Sequence, residues 1–184
     1  MKVKVGVSNR HVHLTKEDYT ILFGTDNLTK KNDLYQPGQY ASNEKVSLLT
    51  PKSQIDNVRI IGPFRTYTQV EISKTDSFSL GLNPPIRDSG DLNGAELITI
   101  LGPVGTITKN VCIISNRHIH ITKEEKDLYG LGDTISIKVP GEKSSVLNQV
   151  KFKVDPNYKF ELHIDTDDAN ANLIKTGDEL EIIK

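Results

Sequence analysis

The histidines are the residues here whose types and spacing could do chemistry. All five fall in three short stretches, and two of those stretches are near-copies of each other. The first reads Ser8-Asn9-Arg10-His11-Val12-His13-Leu14-Thr15-Lys16-Glu17 and the second Ser115-Asn116-Arg117-His118-Ile119-His120-Ile121-Thr122-Lys123-Glu124. The fifth, His163, stands in Glu161-Leu162-His163-Ile164-Asp165. Residues i and i+2 of a strand point the same way, so a His-x-His pair on an apolar, β-branched background presents two imidazoles on one face. Such nitrogens can close on one ion, at about 2.1 Å if it is zinc. One pair does not fill a tetrahedral shell, so further donors must come from His163, a carboxylate, water or substrate. A lone histidine on an apolar face is ordinarily a core residue; the repetition of the pair is what favours metal.

Glu71 is the carboxylate that the sequence places best. It ends the run Gly62-Pro63-Phe64-Arg65-Thr66-Tyr67-Thr68-Gln69-Val70-Glu71, in which Arg65, Tyr67, Gln69 and Glu71 share one parity. On a strand they would form one face, a poor core and a good polar site, although the same face would also suit contact with water. Arg10 and Arg117, one residue before each histidine pair, would point the opposite way and suit ion-pair or hydrogen-bond roles better than ligation. Arg87 lies in the Gly- and Pro-rich stretch Gly81–Gly90, either a binding loop or an ordinary connection with an Arg–Asp pair. No Walker loop, Gly-x-Gly-x-x-Gly or Gly-x-Ser-x-Gly motif occurs, so any phosphate must be handled by metal and arginine.

The elements that must carry these residues read as mainly β. Strand-like runs include 45–50, 58–62, 66–72, 95–101, 111–115, 134–139, 149–154, 159–164 and 179–183, separated by Gly, Pro, Asn and Asp clusters. Short helices are expected over 15–23 and 122–129, each opened by a threonine cap, and over 166–176. With no Trp and only 6% aromatic residues, the core must rest on Ile, Leu and Val, which favour strands and a barrel or sandwich. The repeat runs past the histidines: Asp33-Leu34-Tyr35-Gln36-Pro37-Gly38 answers Asp127-Leu128-Tyr129-Gly130-Leu131-Gly132, delayed in the first copy by an insertion around 24–32. Duplication and fusion would give two similar subdomains related by a pseudo-two-fold axis, with an active site where the copies meet.

Bulk properties exclude other classes. The 184 residues carry a formal charge of −1 without a basic stripe, which argues against a nucleic-acid surface. Apolar runs are strand-sized, far short of the ~20 residues of a membrane span. The chain runs straight into the first histidine motif, so no leader is expected. Cys112 is the single cysteine, so no intrachain disulfide forms and a reducing compartment is expected; its apolar setting suggests a structural thiol.

Ser-Asn-Arg-His-Val-His-Leu, then Gly-Pro-x-Arg-x-x-Thr-Gln-Val-Glu, Ser-Asn-Arg-His-Ile-His-Ile and Glu-Leu-His-Ile-Asp-Thr-Asp-Asp-Ala-Asn-Ala together resemble the phosphate propanoyltransferase family over essentially the whole chain. These are the phosphotransacylases associated with propanediol utilisation and bacterial microcompartments. The resemblance implies reversible acyl transfer between coenzyme A and inorganic phosphate, with acyl-CoA and phosphate as partners. It implies two small β-barrels with two zinc ions at their junction. Carried over, His11 and His13 would ligate one zinc with open positions, and Glu71, His118, His120 and His163 the other. Arg65 would be the catalytic arginine. Arg87, from the character of its loop and not from the resemblance, is the candidate coenzyme A contact. The N-terminal strand would join the C-terminal barrel, giving residues 1–14 with 108–184 as one barrel and 15–107 as the insertion, helix and second barrel. A homodimer is implied. Because the chain lacks the amphipathic extension of encapsulated members, it resembles the free cytoplasmic ones.

Zinc and Arg65 would hold one phosphate oxygen in line with the thioester carbonyl for direct transfer. No Ser-His-Asp or Cys-His arrangement favours an acyl-enzyme; Glu71 as a mixed-anhydride nucleophile is the alternative. Two rivals remain at this stage: a cupin-like metal-dependent oxygenase or isomerase, and a zinc-stabilised binding module without activity.

Overall fold

In the computed structural model, which describes residues 1–183, the alternation imposed by the histidine motifs becomes strand. Along the chain lie β1 (Lys2–Ser8), β2 (His11–His13), α1 (Lys16–Phe23), β3 (Lys30–Asp33), β4 (Tyr40–Leu49), β5 (Gln54–Gly62) and β6 (Gln69–Glu71). There follow α2 (Lys74–Leu80), β7 (Ile86–Arg87), β8 (Glu96–Leu101), β9 (Thr106–Ser115), β10 (His118–Ile121) and α3 (Lys123–Leu128). The last are β11 (Thr134–Val139), β12 (Ser145–Val154), β13 (Glu161–Asp165), α4 (Thr166–Asn172) and β14 (Glu179–Ile183). No helix among the described residues is long and apolar enough to cross a membrane.

The chain forms two compact units, Arg10–Ser115 and Met1–Asn9 with the residues from Asn116 onward. Each is a closed six-stranded barrel of mixed direction. The middle barrel runs β4-β5-β2-β6-β9-β8, closed where β8 pairs with both β9 and β4, with β3 and β7 alongside. The other runs β1-β13-β10-β12-β11-β14 and closes between β14 and β1. Closure removes the unpaired edges that an open sheet of this width would expose.

The two rings have the same connectivity. Each histidine strand has one parallel neighbour, β5 or β12, and one antiparallel neighbour, β6 or β13. That antiparallel neighbour lies parallel to β9 in the middle barrel and to β1 in the other. The strand leading into each histidine motif therefore closes the barrel of the opposite copy. Residues 10–14 and 108–115, expected with the C-terminal barrel, lie in the middle unit, because β2 bonds to β5 and β6 while β9 bonds to β6, β7 and β8.

Period-2 alternation decides which side chains fill the barrels. Val12 and Leu14 enter the middle core with Val46, Leu48, Val58, Ile60, Val70, Ile98 and Ile100. Ile119 and Ile121 enter the other core with Val3, Val5, Ile137, Val150 and Leu162. Each such side chain contributes about 1.5–3 kcal/mol on full burial. The histidines occupy the opposite parity, so the same apolar residues that anchor β2 and β10 turn the imidazoles onto the other face of each barrel wall.

The helices follow local signals. Thr15 caps α1 by accepting from the Asp18 amide, and Thr122 caps α3 in a reciprocal box with Glu125. The expected third helix ends at Asn172, because Leu173 turns left-handed at φ 57°. The expected strand 66–72 shortens to Gln69–Glu71, and α2 is an unexpected helix with a local signal: Ser73 and Asp76 form a capping box and Gly81 ends the helix at φ 69°.

Candidate metal centre

In the middle barrel the antiparallel register between β2 and β6 sets His11 directly opposite Glu71, with His13 two residues along on the same face. His11 Nε2 stands 3.5 Å from Glu71 Oε2 and His13 Nε2 3.9 Å from Glu71 Oε1. Donors bound at ~2.1 Å to a tetrahedral ion stand about 3.4 Å apart, so this spacing suits a shared cation. His13 Nδ1 donates to the Ile61 carbonyl at 3.2 Å, which leaves the Nε2 lone pair for a ligand. Burial, then the charges of His11 and Arg65, hold His13 well below the ordinary histidine pKa despite Glu71. It is therefore neutral, the form in which imidazole ligates.

The C-terminal barrel repeats the arrangement with a third imidazole. Register across β10 and β13 sets His118 opposite His163. His118 Nδ1 donates to the Asn116 carbonyl at 2.8 Å, and its Nε2 lies 3.0 Å from His120 Nε2. The His163 ring centroid is 4.3 Å from that of His120 and 5.3 Å from that of His118. Tyr158 stacks on His120 at 4.3 Å and 11°, fixing that ring from one face. In each triad one donor atom from every member lies within 4.8 Å of the other two.

Glu71 and His163 thus occupy the same place in the two copies. The resemblance grouped Glu71 with His118, His120 and His163 and gave His11 and His13 no further protein ligand. The structure sets Glu71 against His11 and His13, because the β2–β6 register puts it there. The signal was present in the sequence: Gln69-Val70-Glu71-Ile72-Ser73 with Asp76 aligns with Glu161-Leu162-His163-Ile164-Asp165 with Asp168.

The arginines before the histidine pairs are ion-pair partners. Arg10 reaches Asp76 through Nε at 2.9 Å and Nη2 at 2.7 Å. Arg117 reaches Asp168 at 2.7 and 2.6 Å. Each bidentate pair ties a histidine strand to the helix that follows the third donor. The motifs alone did not point to these acidic partners or to the contacts of Gln69. Gln69 is fully buried, donates to Glu71 Oε1 at 2.6 Å and to Ser89 Oγ at 3.1 Å, and accepts from the Gly90 amide at 2.7 Å. Water therefore does not bathe the inner end of the polar run.

Arg65 joins the first triad through backbone and charge. Its amide donates to the Leu14 carbonyl at 2.8 Å, and its Nη1 donates to the Tyr67 hydroxyl at 2.9 Å. Arg87 instead contacts its own loop, donating to the carbonyls of Asn93 at 2.8 Å and Ile86 at 2.9 Å, with Asp91 at 3.7 Å. Cys112 is buried, and burial, with Glu96 and Asp76, pushes its thiol up to about 12.

The family profile for phosphate propanoyltransferase matches residues 4–175. The phosphate propanoyltransferase of Thermotoga maritima is 47% identical over 185 residues, covering 98% of this chain and 88% of that protein. That of Priestia megaterium is 50% identical over 180 residues, covering 96% and 83%. That of Salmonella typhimurium is 40% identical over 173 residues, covering 92% and 82%. Similarity at this level along nearly the full length places the chain in the phosphate propanoyltransferase family, and it is an acyltransferase.

Proposed function

We propose that this acyltransferase is zinc-dependent and moves an acetyl or propanoyl group reversibly between coenzyme A and inorganic phosphate. The observation that supports this reading is a three-donor set in each unit of a chain from this family, His11, His13 and Glu71 in one and His118, His120 and His163 in the other.

The donors fit the ion. Imidazole nitrogen and carboxylate oxygen are zinc's usual ligands, and three of them per site match the catalytic pattern that leaves a coordination position for an exogenous group. When bound, zinc supplies Lewis-acid polarisation of an oxygen and stabilises a departing thiolate. Fixed tautomers at His13 and His118 present their Nε2 atoms without reorganisation.

The phosphate falls to Arg65. A guanidinium offers a planar fork that matches a phosphate edge, and the bond from Arg65 Nη1 to Tyr67 holds that fork in place beside His13. A phosphate oxygen so held attacks the thioester carbonyl carbon. A C–O bond forms, the C–S bond breaks, and the electron pair leaves with the coenzyme A sulfur as thiolate; the reverse reaction retraces these steps. Arg65 can also take up charge on the carbonyl oxygen as the tetrahedral intermediate forms. Cys112 is buried and held as the thiol, so it serves no acyl-enzyme route, and its burial in reduced form accords with the cytoplasm. Arg87 is kept as a coenzyme A contact only if its side chain leaves the loop carbonyls.

Metal analysis of the purified protein, paired with phosphate-dependent thiol release from acetyl- and propanoyl-CoA, tests the proposal. One zinc per triad and activity that chelation removes and zinc restores are expected. Iron with oxygen uptake, or bound metal without acyl transfer, would overturn it. The mass of the same preparation in solution tests the homodimer.

A further inference from the structure

The two copies differ at their third donor, and the difference is reversed two residues earlier. The middle barrel has Gln69 then Glu71; the C-terminal barrel has Glu161 then His163. Both earlier residues are buried, and each reaches forward to the donor on its own strand. Gln69 Nε2 donates to Glu71 Oε1 at 2.6 Å, and His163 Nε2 stands 2.7 Å from Glu161 Oε2. Each strand therefore carries one carboxylate, as a donor in one copy and behind the donor in the other. A cation held in each triad would favour the ionised form of that carboxylate.

We infer that Glu161 is a positioning residue of the second triad: its carboxylate accepts from His163 Nε2–H, which fixes the tautomer and leaves Nδ1 as the nitrogen able to bind metal. The inference rests on the second triad being a zinc site. A carboxylate behind a ligating imidazole orients the ring and raises its basicity. Room for it comes from β1, the exchanged strand. Gly6 stands in register with His163, and a Cβ there would lie 2.9 Å from Glu161 Oε1 and 3.1 Å from His163 Cδ2. A side chain at position 6 would displace the carboxylate, so the strand borrowed from the other copy shapes this contact through the side chain it lacks.

The test uses full-length protein as purified. Zinc retained per chain is followed against rising nitrilotriacetate for wild type, Glu161→Gln and Gly6→Ala, with His118→Ala marking which release step belongs to the second triad. Both variants should lose the second-triad zinc at roughly tenfold to hundredfold lower chelator, with the first-triad step unmoved. Release curves for Glu161→Gln that overlay wild type would overturn the inference. Histidine-selective nitrogen NMR of the wild type should show His163 protonated at Nε2; protonation at Nδ1 would overturn it too. The NMR result decides if Glu161→Gln fails to fold. Wild-type protein that binds no zinc would refute the zinc reading, and the His163 tautomer would still report on the Glu161 contact.

Discussion

Replacing Asp76 by alanine should destabilise the protein more than replacing Asp168, its counterpart in the other copy. Bond length argues the opposite: the Arg117–Asp168 contacts are 2.7 and 2.6 Å, against 2.9 and 2.7 Å for Arg10–Asp76. Burial reverses the order. The Asp76 side chain is 6% exposed and Asp168 19%, while their arginines are similarly open at 36% and 39%. Breaking a fully buried pair costs about 3–5 kcal/mol and an exposed one about 0–1; the half-open arginines put the Asp76 pair at about 1–2. Asp76 also accepts from the Ser73 amide in the α2 capping box, worth about a further 0.5–1 kcal/mol. The sum is about 2 kcal/mol for Asp76→Ala, against about 1 for Asp168→Ala, whose helix keeps its Asp165 cap. For a chain of this size those losses correspond to Tm shifts of about 4–8 °C and 2–4 °C. Calorimetry on metal-free protein measures them without any contribution from a bound ion. Equal shifts, or a larger one for Asp168→Ala, would refute the argument that burial outweighs bond length here.

Arg65→Ala should lower kcat/KM by about 100- to 1000-fold while zinc content stays at the wild-type level, measured by thiol release and metal analysis; near-normal turnover would remove Arg65 from the chemistry. The lowered pKa of His13 means that the unfolded chain binds a proton below pH about 6.5 that the folded chain does not. Metal-free protein should therefore lose stability as pH falls through that range, and urea titrations at pH 7.5 and 5.5 should show a smaller loss in His13→Gln. The Cys112 thiol, held up at about 12, should resist iodoacetamide at pH 8 in native protein and react on denaturation. Rapid native labelling would contradict its burial.

Local rules carried much of the fold and singled out the six residues of the two triads. His-x-His on an apolar background specified two strands with paired imidazoles, and the alternation of Val12 and Leu14, or Ile119 and Ile121, with the histidines specified which face met the core. Thr15 and Thr122 announced their helices, and Ser73-x-x-Asp76 before Gly81 carries the same kind of local signal for α2. These signals span a few residues, because side-chain direction and capping depend on the backbone nearby. Glu71 was recognisable as a candidate donor for the same reason.

Its partners were not. Whether Glu71 meets His11 or another histidine depends on register between strands far apart in the chain, set by how whole apolar faces dock into a closed barrel. The same non-local fit placed β1 and β9 in opposite barrels, shortened the polar strand to Gln69–Glu71, joined Arg10 to Asp76 and Arg117 to Asp168, and left Gly6 as the opening for Glu161. The sequence by itself determined the candidate donors and the repeat that carries them. Tertiary structure decided which donors meet, because a strand's own residues fix the direction of its side chains and only its neighbours fix what lies opposite them.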